Sequence, residues 1–437
     1  MKKEKELDIY NKKIEKNYKR NYTFNIMDGA FYSFGLGFVS ITTIIPLFVS
    51  KLTDSKLLIS SIMAIFMLGS TLPQLFSAMW IEHKKRNKKT LLIFAVFQRL
   101  PWLLLAVFTF ILTPNHLDIL LIVFFVCWLF YSIACGLVVP PWFDMVTKLI
   151  PLKRRGRFFG YRTALASVLE VIGALIAGFL IKILAFPTSF NVLFILTFSV
   201  MLISYLSLLF IVEPKYPLSN SKKSLKLFFS RIPKIISSDK NYRNYIVSIF
   251  FLRFIGMSNG LFTISAIERL QLSSQEADKL IAIFTFVLIG SQTLTNILWG
   301  HFSDKYGYKL VILMSGIFNG LGVFMAVIAD QPLYFYLVFM FTGIAFGGEK
   351  VSLMTIIPEF CSPEEKPIYV SLTNTVSGIT IGVVSLLGGF LADVYGFTIV
   401  FAISCIMIFI GSIYLYLKVK EPRFIENISH LKSNLES

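Results

Sequence analysis

Twelve long apolar blocks separated by polar gaps constrain this chain more than any other feature. They run over 25–49, 57–80, 90–112, 117–142, 160–184, 190–212, 244–266, 280–300, 309–329, 333–357, 369–392 and 397–418. Each is about twenty residues long, enough to cross roughly 30 Å of hydrocarbon at about 1.5 Å per residue. In lipid the backbone must satisfy its own hydrogen bonds, so such blocks are helices or strands of a closed barrel. Barrel strands alternate apolar and polar residues over about ten positions. The stretch from Leu117 to Phe130, LDILLIVFFVCWLF, does not alternate. The expected fold is all-α: a polytopic membrane protein with twelve transmembrane helices. Only 15% of residues are charged, against about a quarter in soluble proteins, which excludes soluble multidomain and fibrous folds.

The net charge of +17 raises nucleic acid as a partner, but the positions of the bases exclude it. Alternate gaps are basic. Lys2, Lys3, Lys5, Lys12, Lys13, Lys16, Lys19 and Arg20 precede the first block, and Lys84, Lys85, Arg86, Lys88 and Lys89 follow the second. Lys148, Lys153, Arg154, Arg155 and Arg157 follow the fourth. The 213–243 loop and the tail are basic too, whereas the opposite gaps hold little beyond Lys51, Lys56, Arg269 and Lys279. The positive-inside rule then expects a cell-membrane protein with both termini and the central loop in the cytoplasm. Five parts follow: a segment 1–24, a six-helix bundle 25–212, a loop 213–243, a second bundle 244–418 and a tail 419–437. A basic amphipathic stretch from Leu225 to Ile236 is expected to lie on the membrane surface.

The halves carry traces of duplication. Asp28 to Leu36 and Arg253 to Leu261 share Ser, Gly and Leu at one offset. Gly178-Phe179-Leu180 matches Gly389-Phe390-Leu391, and Ile150-Pro151 matches Ile357-Pro358. After the eighth block comes Gly300-His301-Phe302-Ser303-Asp304-Lys305-Tyr306-Gly307-Tyr308-Lys309. Two further features are Arg155 to Arg162 and Gly388 to Phe397, the latter holding Asp393. On these motifs the chain resembles the major facilitator superfamily (MFS). The resemblance implies two pseudo-symmetric six-helix bundles, with the first, fourth, seventh and tenth helices lining a central cavity. It also implies a cytoplasmic gate motif of Gly300, Asp304, Gly307 and Lys309. In that reading Gly300 allows close helix approach, Asp304 pairs or caps, and Gly307 permits a turn. The first-half counterpart, Trp80 to Lys89, lacks both glycines and offers only Glu82 as an acid.

Ionisable groups inside a membrane are costly and need a partner or a wet cavity. They are Asp28, Arg99, Asp144, Glu170, Arg253, Glu349 and Lys350. The shared offset sets Asp28 against Arg253, which are expected either to form a gate across the cleft or to pair within their own halves. Glu349 and Glu170 are the proton-site candidates, since a carboxylate among apolar helices can cycle between charged and neutral forms. Asn259 is a candidate substrate contact. The expected pathway is therefore Asp28, Arg253, Asn259, Glu349, Lys350 and Glu170. No histidine lies in an apolar block, and Cys127, Cys135, Cys361 and Cys405 lack metal-ligand spacing. No metal, no cofactor and no enzymatic activity are expected. The implied function is secondary active transport of a small solute by alternating access, proton-coupled, in a monomer. A non-transporting sensor or scaffold is the alternative.

Overall fold

The computed structural model describes residues 2–423 apart from 82–83, 85, 114, 216–231, 234, 354 and 362–364. The amphipathic stretch expected from Leu225 to Ile236 lies mostly outside the described residues, as does Glu82. Every apolar block forms helix, two of them with breaks. The chain runs α1 (Lys2–Gly37), α2 (Ile44–Ser50), α3 (Lys56–Ile81), α4 (Lys88–Leu112), α5 (Leu117–Leu149), α6 (Leu152–Ile183) and α7 (Thr188–Leu209). The second half runs α8 (Lys240–Leu252), α9 (Gly256–Asn259), α10 (Phe262–Arg269), α11 (Ser274–Tyr306), α12 (Tyr308–Ile328), α13 (Pro332–Ser352), α14 (Lys366–Tyr395) and α15 (Phe397–Lys418).

Among the described residues ten helices are long and apolar enough to span a bilayer, or eleven if the bent pair at α9 and α10 counts as one. The first expected span falls short because it is broken. Its residues 38–43 leave the helix between α1 and α2, where Val39, Ile41, Thr42, Thr43 and then Pro46 disfavour helix. The seventh is broken as well: a 3₁₀ turn covers Arg253–Ile255, and the path bends by 41° across Gly260 and Leu261. Gly256 and Gly260 lower the cost of that departure. The first helix of each half thus carries a discontinuity.

The chain divides into two compact units. Residues 274–283 belong to the first unit and residues 55–64 to the second. In the first unit, Lys51 and Asp278 form an ion pair at 2.7 Å. In the second, Lys56 pairs with Glu268 at 3.1 Å, and Asp393 accepts hydrogen bonds from the backbone amides of Lys56 and Leu57 at 2.9 and 3.0 Å. Asp393 is therefore the acidic N-terminal partner of α3.

Packing within the units repeats. In the first, α1 packs on α6 and α7, and α4 packs on α5 and α7. In the second, α8 and α9 pack with α14 and α15, and α12 packs with α13 and α15. The crossing of α1 and α6 is close enough that a Cβ on Gly173 would collide with the Phe34 carbonyl and with Gly37. Outward faces carry large exposed apolar side chains, including Phe76, Phe110, Ile122, Phe130, Leu294 and Ile297, as hydrocarbon-facing helices require.

Candidate functional site

The charged residues inside the spans gather into one cluster per unit. In the first unit Asp28, on α1, is buried. One of its oxygens accepts from the Ser204 hydroxyl of α7 at 2.8 Å. Two guanidinium groups flank it, Arg99 of α4 at 3.8 Å and Arg162 of α6 at 3.7 Å. Arg99 is pinned by the Met201 carbonyl at 2.7 Å, the Ala95 carbonyl at 3.0 Å and the Ser204 hydroxyl at 2.7 Å. Arg162 lies over the Trp142 ring at 4.4 Å and against Gly29, where any Cβ would collide with it. Its Nε is buried without a hydrogen-bond partner. A neutral arm extends the cluster. Gln98 donates to the Tyr32 hydroxyl at 2.9 Å and to the Cys135 sulfur at 3.3 Å, and Tyr32 meets Tyr131 at 3.2 Å. One carboxylate thus serves two guanidinium groups.

The second unit has one base and one acid. Arg253 donates to Glu349 at 2.5 Å, and Asn319 donates to the other Glu349 oxygen at 2.9 Å. Arg253 Nε and Asn319 Oδ1 are buried without a partner. Asn259 ends α9 at the helix break, with its Oδ1 also buried and unpaired. Lys350, next to Glu349, is exposed, and Glu170 is half-buried on α6, eight residues beyond Arg162.

These contacts redraw the expected gate. Asp28 finds its partners in the first unit and Arg253 finds Glu349 in the second. The offset that paired Asp28 with Arg253 is also displaced. Asn21 makes a reciprocal clamp on the backbone of Val212, at 3.0 and 2.8 Å. Asn241 makes the same clamp on Lys420, at 3.0 and 2.8 Å. Asn21 and Asn241 stand 220 positions apart, whereas Asp28 and Arg253 stand 225 apart. In the register that the two clamps set, the Ser, Gly and Leu matches do not align. In the structural register Ser248 answers Asp28 and Ser33 answers Arg253.

The expected gate motif also changes. Gly307 adopts φ +87°, a left-handed conformation that glycine tolerates, and starts α12. A Cβ added at Gly300 would meet no atom within 4 Å among the described residues. Asp304 is exposed, and its carboxylate makes no hydrogen bond or ion pair among the described residues; its backbone carbonyl accepts from Arg423 at 3.3 Å. The acid that meets α12 is Glu421, accepting from the Lys309 amide at 2.7 Å, while Lys309 Nζ donates to the Tyr416 carbonyl at 3.0 Å. Arg423 pairs with Glu359 at 3.0 Å. The first unit has the same device. Glu213 accepts from the amides of Asn87 at 2.9 Å and Lys88 at 2.7 Å, and Lys88 Nζ donates to the Leu209 and Ile211 carbonyls at 2.7 Å each. Burial pushes both carboxyls above the usual glutamate value, against the lowering effect of the backbone amides. Glu213-Pro214-Lys215 and Glu421-Pro422-Arg423 form a repeat that the sequence reading missed, and it marks these sites more directly than the glycines do.

Among the described residues no group of three or more His, Cys, Asp or Glu side chains could hold a metal ion. Solved structures similar to the chain are transporters. A D-xylose–proton symporter matches with a TM-score of 0.72 at 13% identity, covering 92% of this chain and 98% of that one. A bacterial homologue of the iron transporter ferroportin, in an inward-facing state, matches at 0.68 and 13%, covering 91% and 98%. A POT family transporter in complex with 5-aminolevulinic acid matches at 0.69 and 14%, covering 91% and 96%. At these identities the likeness is one of fold. The uncharacterised MFS-type transporter YuxJ of Bacillus subtilis is 32% identical over 129 residues, 29% of this chain and 32% of that protein. An uncharacterised MFS-type transporter of Methanocaldococcus jannaschii is 26% identical over 137 residues, 31% and 36% of the two chains. The matched segments span about a third of these curated relatives. The sequence model of the Major Facilitator Superfamily matches residues 29–291 and 246–433; with duplicated helix packing, paired Glu-Pro caps and membrane-length helices, the chain belongs to that superfamily.

Proposed function

We propose that the chain is a secondary active transporter that moves a small solute by alternating access, coupled to protons. It works as a monomer in the cell membrane with both termini in the cytoplasm. The observation that carries the reading is the Arg253–Glu349–Asn319 cluster. A charge pair inside membrane spans is costly, and this one leaves Arg253 Nε and Asn319 Oδ1 without partners. Ionised Glu349 holds Arg253 and Asn319. Protonated Glu349 loses most of that attraction and frees a guanidinium and an amide to bind a solute. Solute and the ionised Glu349 carboxylate then compete for one guanidinium, so proton binding at Glu349 favours solute binding, which is the linkage that coupling requires. Asp28 with Arg99 and Arg162 supplies a second site with more positive than negative charge, suited to a solute carrying negative charge. Asn259, Lys350 and Glu170 are assigned to the pathway around these clusters, and Gly307, Lys309 and Glu421 to the cytoplasmic latch.

The test is flux in proteoliposomes containing the pH dye pyranine. D-xylose, nucleosides and 5-aminolevulinic acid serve as first probes, followed by a panel of small carboxylates. The expected result is solute-dependent proton movement in the wild type. Glu349→Gln should exchange solute across the membrane without accumulating it in response to a pH gradient. Gradient-driven accumulation in Glu349→Gln would overturn the proton site. Absence of flux for every solute would favour the sensor or scaffold reading.

A further inference from the structure

A cavity of about 480 Å³ opens where α4 begins and α7 ends, and Arg20, Arg86, Lys88, Lys89, Leu92, Leu209 and Glu213 are among the residues that line it. Arg20 Nε donates to the Phe210 carbonyl at 2.7 Å, and Lys88 Nζ to the Leu209 and Ile211 carbonyls. Both are held in place by the orphan carbonyls at the α7 C-terminus, and each keeps further N–H donors. Arg86 and Lys89 are exposed. The Glu213 carboxylate is spent on the backbone amides of Asn87 and Lys88. Four cations therefore face one engaged carboxylate.

The second unit provides an internal control. There Glu421 and Lys309 repeat the acid cap and the lysine-to-carbonyl bond. In that register Arg86 becomes Gly307 and Lys89 becomes Leu310. The fold closes this corner with Glu421, Lys309 and the Arg423–Glu359 pair and without bases at positions 307 and 310, so Arg86 and Lys89 are not needed to build it.

The apolar side of the cavity says what the bases are for. Leu92 continues along α4 into exposed Val96 and Leu100, and Leu209 continues along α7 into exposed Leu206 and Leu202. These rows, spaced three and four residues apart, form one stripe on each helix, and α4 packs on α7. The bases thus sit where two exposed apolar stripes on packed helices end. A free phosphate would use the cations alone, whereas a lipid uses both the cations and the apolar stripes. We propose that this cavity binds the phosphate of an anionic phospholipid headgroup, with an acyl chain lying along the apolar stripes of α4 and α7. Juxtamembrane bases attract anionic lipids by electrostatics that salt weakens.

Native mass spectrometry of the full chain, titrated with phosphatidylglycerol, phosphatidylcholine or inorganic phosphate, tests this. Wild type should retain phosphatidylglycerol at least fivefold more tightly than phosphatidylcholine. Arg86→Ala with Lys89→Ala should abolish that preference, and Arg86→Lys with Lys89→Arg should restore it. Leu310→Ala, the equivalent site in the other half, should leave it unchanged. Should the alanine pair fail to fold, Arg86→Gln and Lys89→Gln, made singly, should each reduce the preference about twofold. Phosphatidylglycerol binding indifferent to these substitutions would overturn the site. Displacement of the lipid by equimolar inorganic phosphate would overturn the lipid assignment and make it a soluble-anion site.

Discussion

The two units share a scaffold and differ in the charges they enclose. Each has a broken first helix, an Asn clamp, a Glu-Pro cap and the same helix pairings. Gln98 and Asn319 fall at the same place on their helices, 221 positions apart, as Lys88 and Lys309 do. Gln98 serves a neutral tyrosine and cysteine, whereas Asn319 serves the Glu349 carboxylate. The first unit spreads one acid over two bases; the second closes one acid on one base. The comparison teaches that the frame is held at the helix ends, which leaves the centre free to carry different chemistry in each half.

The largest effect expected from breaking this comparison is at Glu349. Glu349→Leu strands the Arg253 guanidinium and should cost about 3–5 kcal/mol, read as a fall in thermal unfolding temperature in detergent. Asp28→Asn should cost less, about 2 kcal/mol, because Arg99 keeps its carbonyl partners and Arg162 is partly exposed. Smaller again are the caps. Glu213→Ala and Glu421→Ala should each cost about 1 kcal/mol, and similar losses in the two halves would sharpen the claim of a shared frame. Glu213→Gln should be milder. Burial holds the Glu213 carboxyl above its unfolded value, so the folded chain binds that proton more tightly than the unfolded chain. Its stabilising contribution is full below the unfolded value and declines as pH rises through the folded one. Wild type should therefore lose ground to Glu213→Gln between about pH 4 and pH 7, checked by unfolding at both. The smallest effect is Ser204→Ala, about 0.6 kcal/mol, since Asp28 keeps both guanidinium neighbours.

Hydrocarbon thickness wrote the helices into the sequence legibly, because a span leaves a run of about twenty apolar residues whatever it packs against. The breaks in the first and seventh spans were less visible: the runs stay apolar through Val39 and Leu261, and only β-branched and glycine content marks them. Charges inside the spans were legible as costly residues, but not their partners. Arg99 on α4 reaches Asp28 on α1 beside Ser204 of α7, and no sequence spacing encodes that meeting. The repeat register failed for a related reason. Ser, Gly and Leu are common in apolar helices, so a three-residue match aligned Asp28 with Arg253 five positions out of step. Asn21 and Asn241, whose hydrogen bonds fix the register, are single residues in polar stretches and carry no pattern. The Glu-Pro repeat was readable, and its physical cue is an acid placed just past a span, next to the start of another helix.

The central claim is that the buried charges of each half find their ion-pair partners within that half. A pair of double-mutant cycles on unfolding free energy tests it most directly. Arg253→Leu with Glu349→Leu should recover at least about 2 kcal/mol of the summed single losses, while Asp28→Asn with Arg253→Leu should be additive within about 0.5 kcal/mol. Additive losses at Arg253 and Glu349, or strong coupling between Asp28 and Arg253, would contradict the account.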